Sequence, residues 1–353
     1  VHTFEHLGID YSYGMEPYRL FIANGVTGVR DMGSSFLQLF VGKKRIKEGK
    51  FIAPRIIASG PLLEGAQPPL KRAIISQYVP TPEAGRLAVN TLAEAGVDFL
   101  KIHDGMSRET YFAIAKEVKR KKMVFAGHVP ESVTIIEASD AGQISIEHLD
   151  SLIAACVEKG VINQKKCQKI LKCLVKNGTW LTPTLLPWYL RSQTKTVEIT
   201  NWLKYLKPQY QHTFTELPPK KRQQAKIRHE LNMNLTQIAS QMRVQMLAGT
   251  DTTTFRVPGF ALHKELMLLA EAGLSPIEVL RMATINPVKY LNLTKNLGTI
   301  SSGKLADLLL LSSDPLIDIQ NSTQIAAVVT NGQLFSGPKL QHLFADVLKS
   351  TKE

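Results

Sequence analysis

Five polar residues stand at the ends of short apolar runs far apart in the chain: His2, Lys101, His128, His148 and Asp251. Neutral imidazoles and carboxylates are good ligands for zinc and related divalent ions. A lysine in that company needs a reason, because an ammonium group donates hydrogen bonds and cannot ligate. Each residue alone has a plain explanation. A strand-end histidine can be a hydrogen-bonded core residue, a strand-end lysine an ion-pair partner, and the aspartate of Gly249-Thr-Asp251 a cap for the next turn. They do chemistry together only if the fold brings the five strand ends to one place.

The apolar patterning predicts such a fold. Val244-Gln-Met-Leu-Ala-Gly-Thr-Asp251 is apolar almost throughout and then breaks into polar residues. A strand buried on both faces reads as a near-continuous apolar run. Similar runs occur at 25–31, 54–60, 97–102, 123–128, 143–148 and 179–184, and a first strand would end at His2. Helical patterns lie between them, at 36–50, 82–95, 107–121 and 133–141, in a helix closing at Asn177-Gly178, in a long basic insertion over 194–242, and at 260–272. Thr81-Pro82-Glu83 reads as a cap with proline in the first turn, and Ser275-Pro-Ile-Glu278 as a capping box. Eight alternating units predict a (β/α)8 TIM barrel over residues 1–290, with the active site just past the strands' C-terminal ends. Residues 291–353 are expected to hold the C-terminal part of a small, N-terminally incomplete β-sandwich and a tail. Its strands are read at 306–311 and 325–330, joined to the turn Asn331-Gly332.

Composition narrows the partners. With 353 residues, 44% of them hydrophobic, a large core is available. The sequence contains no apolar run of about 18 residues, so no membrane-spanning segment is predicted. The net charge of +13 comes from clusters such as Lys43-Lys-Arg45, Lys119-Arg-Lys-Lys122, Lys165-Lys166 and Lys220-Lys-Arg222. These fall on predicted helix faces, and no nucleic-acid-binding signature accompanies them. The expected partner is a small molecule or dipeptide, with no nucleic acid; a homo-oligomer is compatible with the sequence. Cys156, Cys167 and Cys173 match no zinc spacing and cannot all pair, so buried or half-buried thiols are expected. The chain opens Val1-His2-Thr3, without an initiator methionine or a signal peptide, which suggests that a segment precedes it and leaves cytoplasmic and exported locations both open.

Several stretches in order resemble one family. They include Gly25-Val-Thr-Gly-Val-Arg-Asp-Met-Gly33, Phe99-Leu-Lys-Ile102, Ala126-Gly-His-Val-Pro130, Ile146-Glu-His-Leu149, Ala248-Gly-Thr-Asp251, Leu262-His-Lys-Glu-Leu266, Ala283-Thr-Ile-Asn-Pro287 and Gly303-Lys-Leu-Ala-Asp-Leu308. The chain is similar to the metal-dependent amidohydrolase superfamily, in its branch of imidazolonepropionase-like proteins and Xaa-Pro dipeptidases. The resemblance implies two divalent metals, expected to be zinc, per full-length chain. Lys101 would carry a bridging carbamate, His128 and His148 would hold one metal, and His2 with Asp251 the other. Hydroxide formed on the metals would attack a carbonyl, and Asp251 would take its proton and pass it to the leaving nitrogen. The expected activity is hydrolysis of an amide-type C–N bond in a peptide such as Xaa-Pro, or in a cyclic amide. The family's His-x-His pair is only half present, because its first histidine would precede Val1. One tightly held metal, at His128 and His148, and weak or absent turnover are therefore expected. His6, in the following loop, is a poor substitute.

His103 and Tyr189 are candidate substrate contacts, with Trp188 beside the latter; His263 is read as structural, and His212, His229 and His342 have no partner pattern. Two other readings remain: a mononuclear imidazolone hydrolase or deaminase, against which Lys101 argues, and a catalytically impaired, truncated homologue that only binds.

Overall fold

A computed structural model describes residues 18–69, 73–194, 197–211, 216–252 and 257–352. The predicted first strand, with His2 and His6, lies outside the described residues, as does His212.

The chain alternates short strands with helices whose boundaries are set by local chemistry. Thr81 caps the helix Pro82–Glu94 by accepting from Ala84 N–H, and Pro82 sits in the first turn, where its missing N–H costs nothing. Ser107 caps Arg108–Arg120 in the same way. Thr134 and Glu137 form a reciprocal capping box on Ile135–Asp140, and Gly178 ends Gln164–Asn177 in the left-handed conformation that glycine adopts without a Cβ clash.

The strands β1 (Gly28–Asp31) and β2 (Arg55–Ala58) pair in parallel. β3 (Leu62–Glu64), β4 (Ser76–Tyr78), β5 (Leu100–Ile102), β6 (Phe125–Gly127), β7 (Ser145–Glu147) and β10 (Trp180–Thr182) form a six-stranded sheet in the order β10-β7-β6-β5-β3-β4, with every pairing parallel. Asp98 N–H donates to Ala58 O, so the end of β2 is tied to the start of the β5 segment. The run at Val244–Ala248 meets β10 through a single parallel bridge, Leu181 with Met246, and then turns away as Ala248 N–H bonds Met282 O.

Two differences from the sequence reading concern strands. β3 and β4 occupy a segment, between the run at 54–60 and the helix at 82, for which the sequence suggested no element, and the ladder at Met246 is shorter than its apolar run suggests. An apolar run reports burial, whereas a ladder also needs a neighbour's N–H and C=O in register. The long insertion is helical as expected, with its longest helix at Pro219–Gln241.

The thiol expectation is corrected. Cys156 and Cys167 form a disulfide, with Cα atoms 5.1 Å apart. The two-residue strands β8 (Val157–Glu158) and β9 (Val161–Ile162) pair antiparallel between them and bring the sulfurs together. That hairpin is too short to leave a period-2 pattern, so spacing alone could not pick the pair. Cys173 is free.

The largest apolar cluster joins β7 and β10 to the helices around them, and a second lies between β5, β6 and the helices Pro82–Glu94 and Arg108–Arg120. β11 (Leu308–Leu311), β12 (Ile325–Thr330) and β13 (Gln333–Ser336) make an antiparallel sheet. The helix Gly337–Ser350 returns to pack Leu340 and Leu343 on Ile22 and Ala23.

Candidate metal centre

Lys101 is the middle residue of β5 and is 2% exposed. His128 follows β6 directly and His148 follows β7. Their rings are neighbours, with centroids 5.1 Å apart, and the His103 ring lies 4.3 Å from that of His128 on the other side. Asp251 acts electrostatically on both Lys101 and His148. Four of the five residues selected from sequence are thus brought together; His2 is the one outside the described residues.

The backbone is strained where these groups emerge. His148, Thr184 and Asp251 all have positive φ, at 65°, 49° and 46°. A non-glycine residue there costs about 1–2 kcal/mol, which other contacts must offset. Gly127 is required next to His128: its φ is 133°, and a Cβ there would lie 2.1 Å from Ile102 O and 2.8 Å from Lys101 Cδ.

Burial sets the charge states. Loss of water is the main effect on Lys101 and pulls its ammonium down to about 8, against the attraction of Glu147 and Asp251. Burial likewise drives His128 well below the usual histidine range, helped by Lys101. It lowers His148 too, opposed by Asp251. Both imidazoles are therefore neutral near pH 7, the form that ligates.

The tautomer of His148 follows from its partner. Thr184 Oγ1 donates to Pro183 O at 2.7 Å, so at 2.5 Å it accepts from His148 Nδ1–H. The lone pair of His148 is then on Nε2. His128 Nδ1 lies 2.8 Å from Asp104 Oδ1.

Beneath these groups lies a buried polar network missed in the sequence reading. The Arg30 guanidinium, on β1, donates to Ser145 Oγ (2.9 Å), Tyr290 OH (2.8 Å), Glu147 Oε2 (2.7 Å) and Thr182 Oγ1 (3.3 Å). It thereby ties β1 to β7 and β10 across the interior. Burial opposes the charge of Glu147, but Arg30 and Lys101 beside it hold the carboxyl down at about 2. The i, i+2 spacing of Ser145 and Glu147 places them on one face of β7, which was a legible signal.

His103, Asp104 and His128 offer ligand atoms all within 4.8 Å of one another. Asp104 is a second omission. His103 is a neighbour of this cluster, as its position two residues after Lys101 suggested. Tyr189 stands on Leu186–Ser192, its ring 5.6 Å from His229 and under the Lys264 ammonium at 4.6 Å, a setting of ring contacts. His263 is structural as read: Nδ1 meets Ser322 Oγ and Nε2 meets Asn24 O.

The donor set fits a divalent metal: neutral imidazoles, carboxylates and a lysine stripped of water, with one buried nitrogen, His103 Nδ1, lacking a hydrogen-bond partner among the described residues.

Comparison with known proteins adds to this geometry. The sequence profile described as the amidohydrolase family matches residues 19–335. Among curated relatives, an adenine deaminase of Desulforamulus reducens is 44% identical over 69 residues, 19% of this chain and 11% of that protein. Adenine deaminase 2 of a Jannaschia species is 37% identical over 60 residues, 17% and 10% of the two chains. The matches thus span about a tenth of those relatives' length. Among solved structures, a candidate prolidase from Bifidobacterium longum superposes with a TM-score of 0.73 at 24% identity, covering 100% of this chain and 83% of that one. A Xaa-Pro dipeptidase with methionine bound in its active site gives 0.67 at 23%, covering 92% and 78%. At this identity the likeness is one of fold.

Proposed function

Because this chain belongs to the amidohydrolase family, we propose that it is a metal-dependent hydrolase of amide-type C–N bonds, acting on a peptide such as Xaa-Pro or on a cyclic amide. The observation that carries this reading is the meeting of Lys101, His128, His148 and Asp251, from separate stretches of chain, in one partly buried cluster. The parallel pairings, and the reach of Arg30 from β1 to β7 and β10, support a closed (β/α)8 barrel as the frame.

In this reading His128, His148 and Asp251 hold divalent metal, expected to be zinc, with His2 adding to the set and Lys101 joining as a carbamate. A metal so held supplies Lewis acidity and an activated water at neutral pH. The chain's own groups do the rest. Burial keeps His128 and His148 neutral, and Thr184 fixes the His148 tautomer that presents Nε2. The lowered pKa of Lys101 raises the fraction of free amine able to take up carbon dioxide. Asp251 would accept a proton from the nucleophile and return it to the leaving nitrogen. Arg30 supplies positive charge against Glu147, so Lys101 is free to become an anion.

The short adenine deaminase matches favour a second reading, hydrolytic removal of ammonia from a purine-like ring. One experiment separates the two. Chelated protein is reloaded with zinc, cobalt or manganese and offered Xaa-Pro dipeptides, cyclic amides and adenine. The proposal expects amino-acid release or ring opening that depends on added metal and disappears in His148→Ala. Ammonia from adenine alone selects the second reading, and turnover indifferent to chelation contradicts both.

A further inference from the structure

We propose that Glu265 is a positioning residue for His148: it clamps the backbone of Leu185 and Leu186, and so holds Thr184 where its hydroxyl accepts from His148 Nδ1–H. This deepens the reading above and rests on it for the role of His148 as a ligand.

Glu265 stands on the helix Phe260–Glu271 and is 0% exposed. Its Oε1 accepts from Leu185 N–H at 2.9 Å and its Oε2 from Leu186 N–H at 2.8 Å. Leu185 is the N-cap of the helix Leu186–Ser192 and makes no side-chain cap. A serine or aspartate at that position would satisfy the helix end locally. Instead the fold brings a carboxyl from a helix 80 residues along the chain. Burial pushes its pKa up to about 8, against the pull of the two N–H groups. What this distant group adds is a fixed peptide plane. The Leu185 N–H belongs to the peptide that follows Thr184, so holding it sets ψ of Thr184. The φ of Thr184, 49°, is unfavourable for a β-branched residue and needs contacts that offset it. Thr184 Oγ1 donates to Pro183 O at 2.7 Å and meets His148 Nδ1 at 2.5 Å. His148 N–H in turn donates to Thr182 O. Two bonds thus join the end of β7 to the loop after β10, and the side-chain one depends on where Thr184 is held. Released from Glu265, Thr184 can relax to an ordinary φ, which carries Oγ1 away from the imidazole.

The test reads the His148 tautomer by long-range proton–nitrogen NMR of the whole metal-free chain, at about pH 8.5, above the ordinary pKa of histidine. The parent should carry the proton on Nδ1. Glu265→Gln keeps the shape but turns an amide NH2 toward one of the two backbone donors, and should shift His148 toward the Nε2–H form. Thr184→Val should do the same, and adding Glu265→Gln to it should change the ring no further. Zinc affinity should fall about tenfold in Glu265→Gln, and the double variant should lose no more than Thr184→Val alone. Glu265→Asp keeps the charge but is too short to reach both N–H groups; it serves if Glu265→Gln does not fold, and should give a mixture of tautomers. A folded Glu265→Gln or Glu265→Asp with His148 still wholly Nδ1–H overturns the proposal and leaves Glu265 a helix cap. Losses of zinc affinity that multiply in the double variant also overturn it. A parent chain that binds no zinc contradicts the proposed function instead, and the tautomer ratios still decide the role of Glu265.

Discussion

Replacing Arg30 with methionine tests the interior network most sharply. The side chain keeps its apolar stem, but Glu147 loses its guanidinium partner while staying buried; the two side chains are 14% and 5% exposed. Breaking a buried pair by removing one member costs about 3–5 kcal/mol, because the remaining charge is left uncompensated. The depression of Glu147 from the ordinary 4.5 to about 2 gives a similar figure, about 3 kcal/mol at 1.36 kcal/mol per pKa unit. Lys101 shares in that depression, so the lower end of the range is expected. With a urea slope near 3 kcal/mol per M, the denaturation midpoint should fall by on the order of 1 M. Glu147→Gln combined with Arg30→Met should recover part of the loss, giving a coupling of about 2 kcal/mol in the double-mutant cycle. Glu147 also fixes a pH dependence: its folded pKa is depressed, so its contribution is present above pH 4.5 and lost as pH falls towards 2. Arg30→Met should flatten stability in that window. A midpoint unchanged within error, or strictly additive variants, would refute the reasoning.

Three further outcomes follow from the centre and the core. Lys101→Ala should abolish turnover and release at least one metal, with partial rescue by short carboxylic acids; full activity would make the lysine an ordinary ion-pair residue. Thr184→Val keeps shape but removes the acceptor for His148 Nδ1–H, and metal affinity by titration should fall about 10–100-fold. His263 is held neutral by burial, its pKa down to about 4. A base depressed in the folded state contributes stability above its ordinary value near 6.5 and loses it as pH falls to 4. Thermal melts should drop across that window and do so less in His263→Gln.

How much was legible depended on what a residue leaves in its neighbourhood. His128, His148 and Asp251 were readable because each follows an apolar run, whereas Lys101, expected at a strand end, is the lone charge in the middle of β5. The helix starts at Thr81, Ser107 and Thr134 were readable because caps are local chemistry. Asp104 and Arg30 were not singled out: a loop aspartate and an arginine inside a glycine-rich motif look like solvent-facing charge until the opposite strands are in place. The Cys156–Cys167 bond escaped for the same reason, since its hairpin is only two residues per strand. β3 and β4 escaped because Leu62–Glu64 and Ser76–Tyr78 are too short to show a period.

Metal is expected among Lys101, His128, His148 and Asp251. The direct measurement is an anomalous difference map at the zinc edge from crystals of the zinc-loaded chain. A peak within bonding distance of His148 Nε2 and the His128 ring is the expected result. Strong peaks only at surface histidines such as His342, with the His128–His148 space empty, would contradict it.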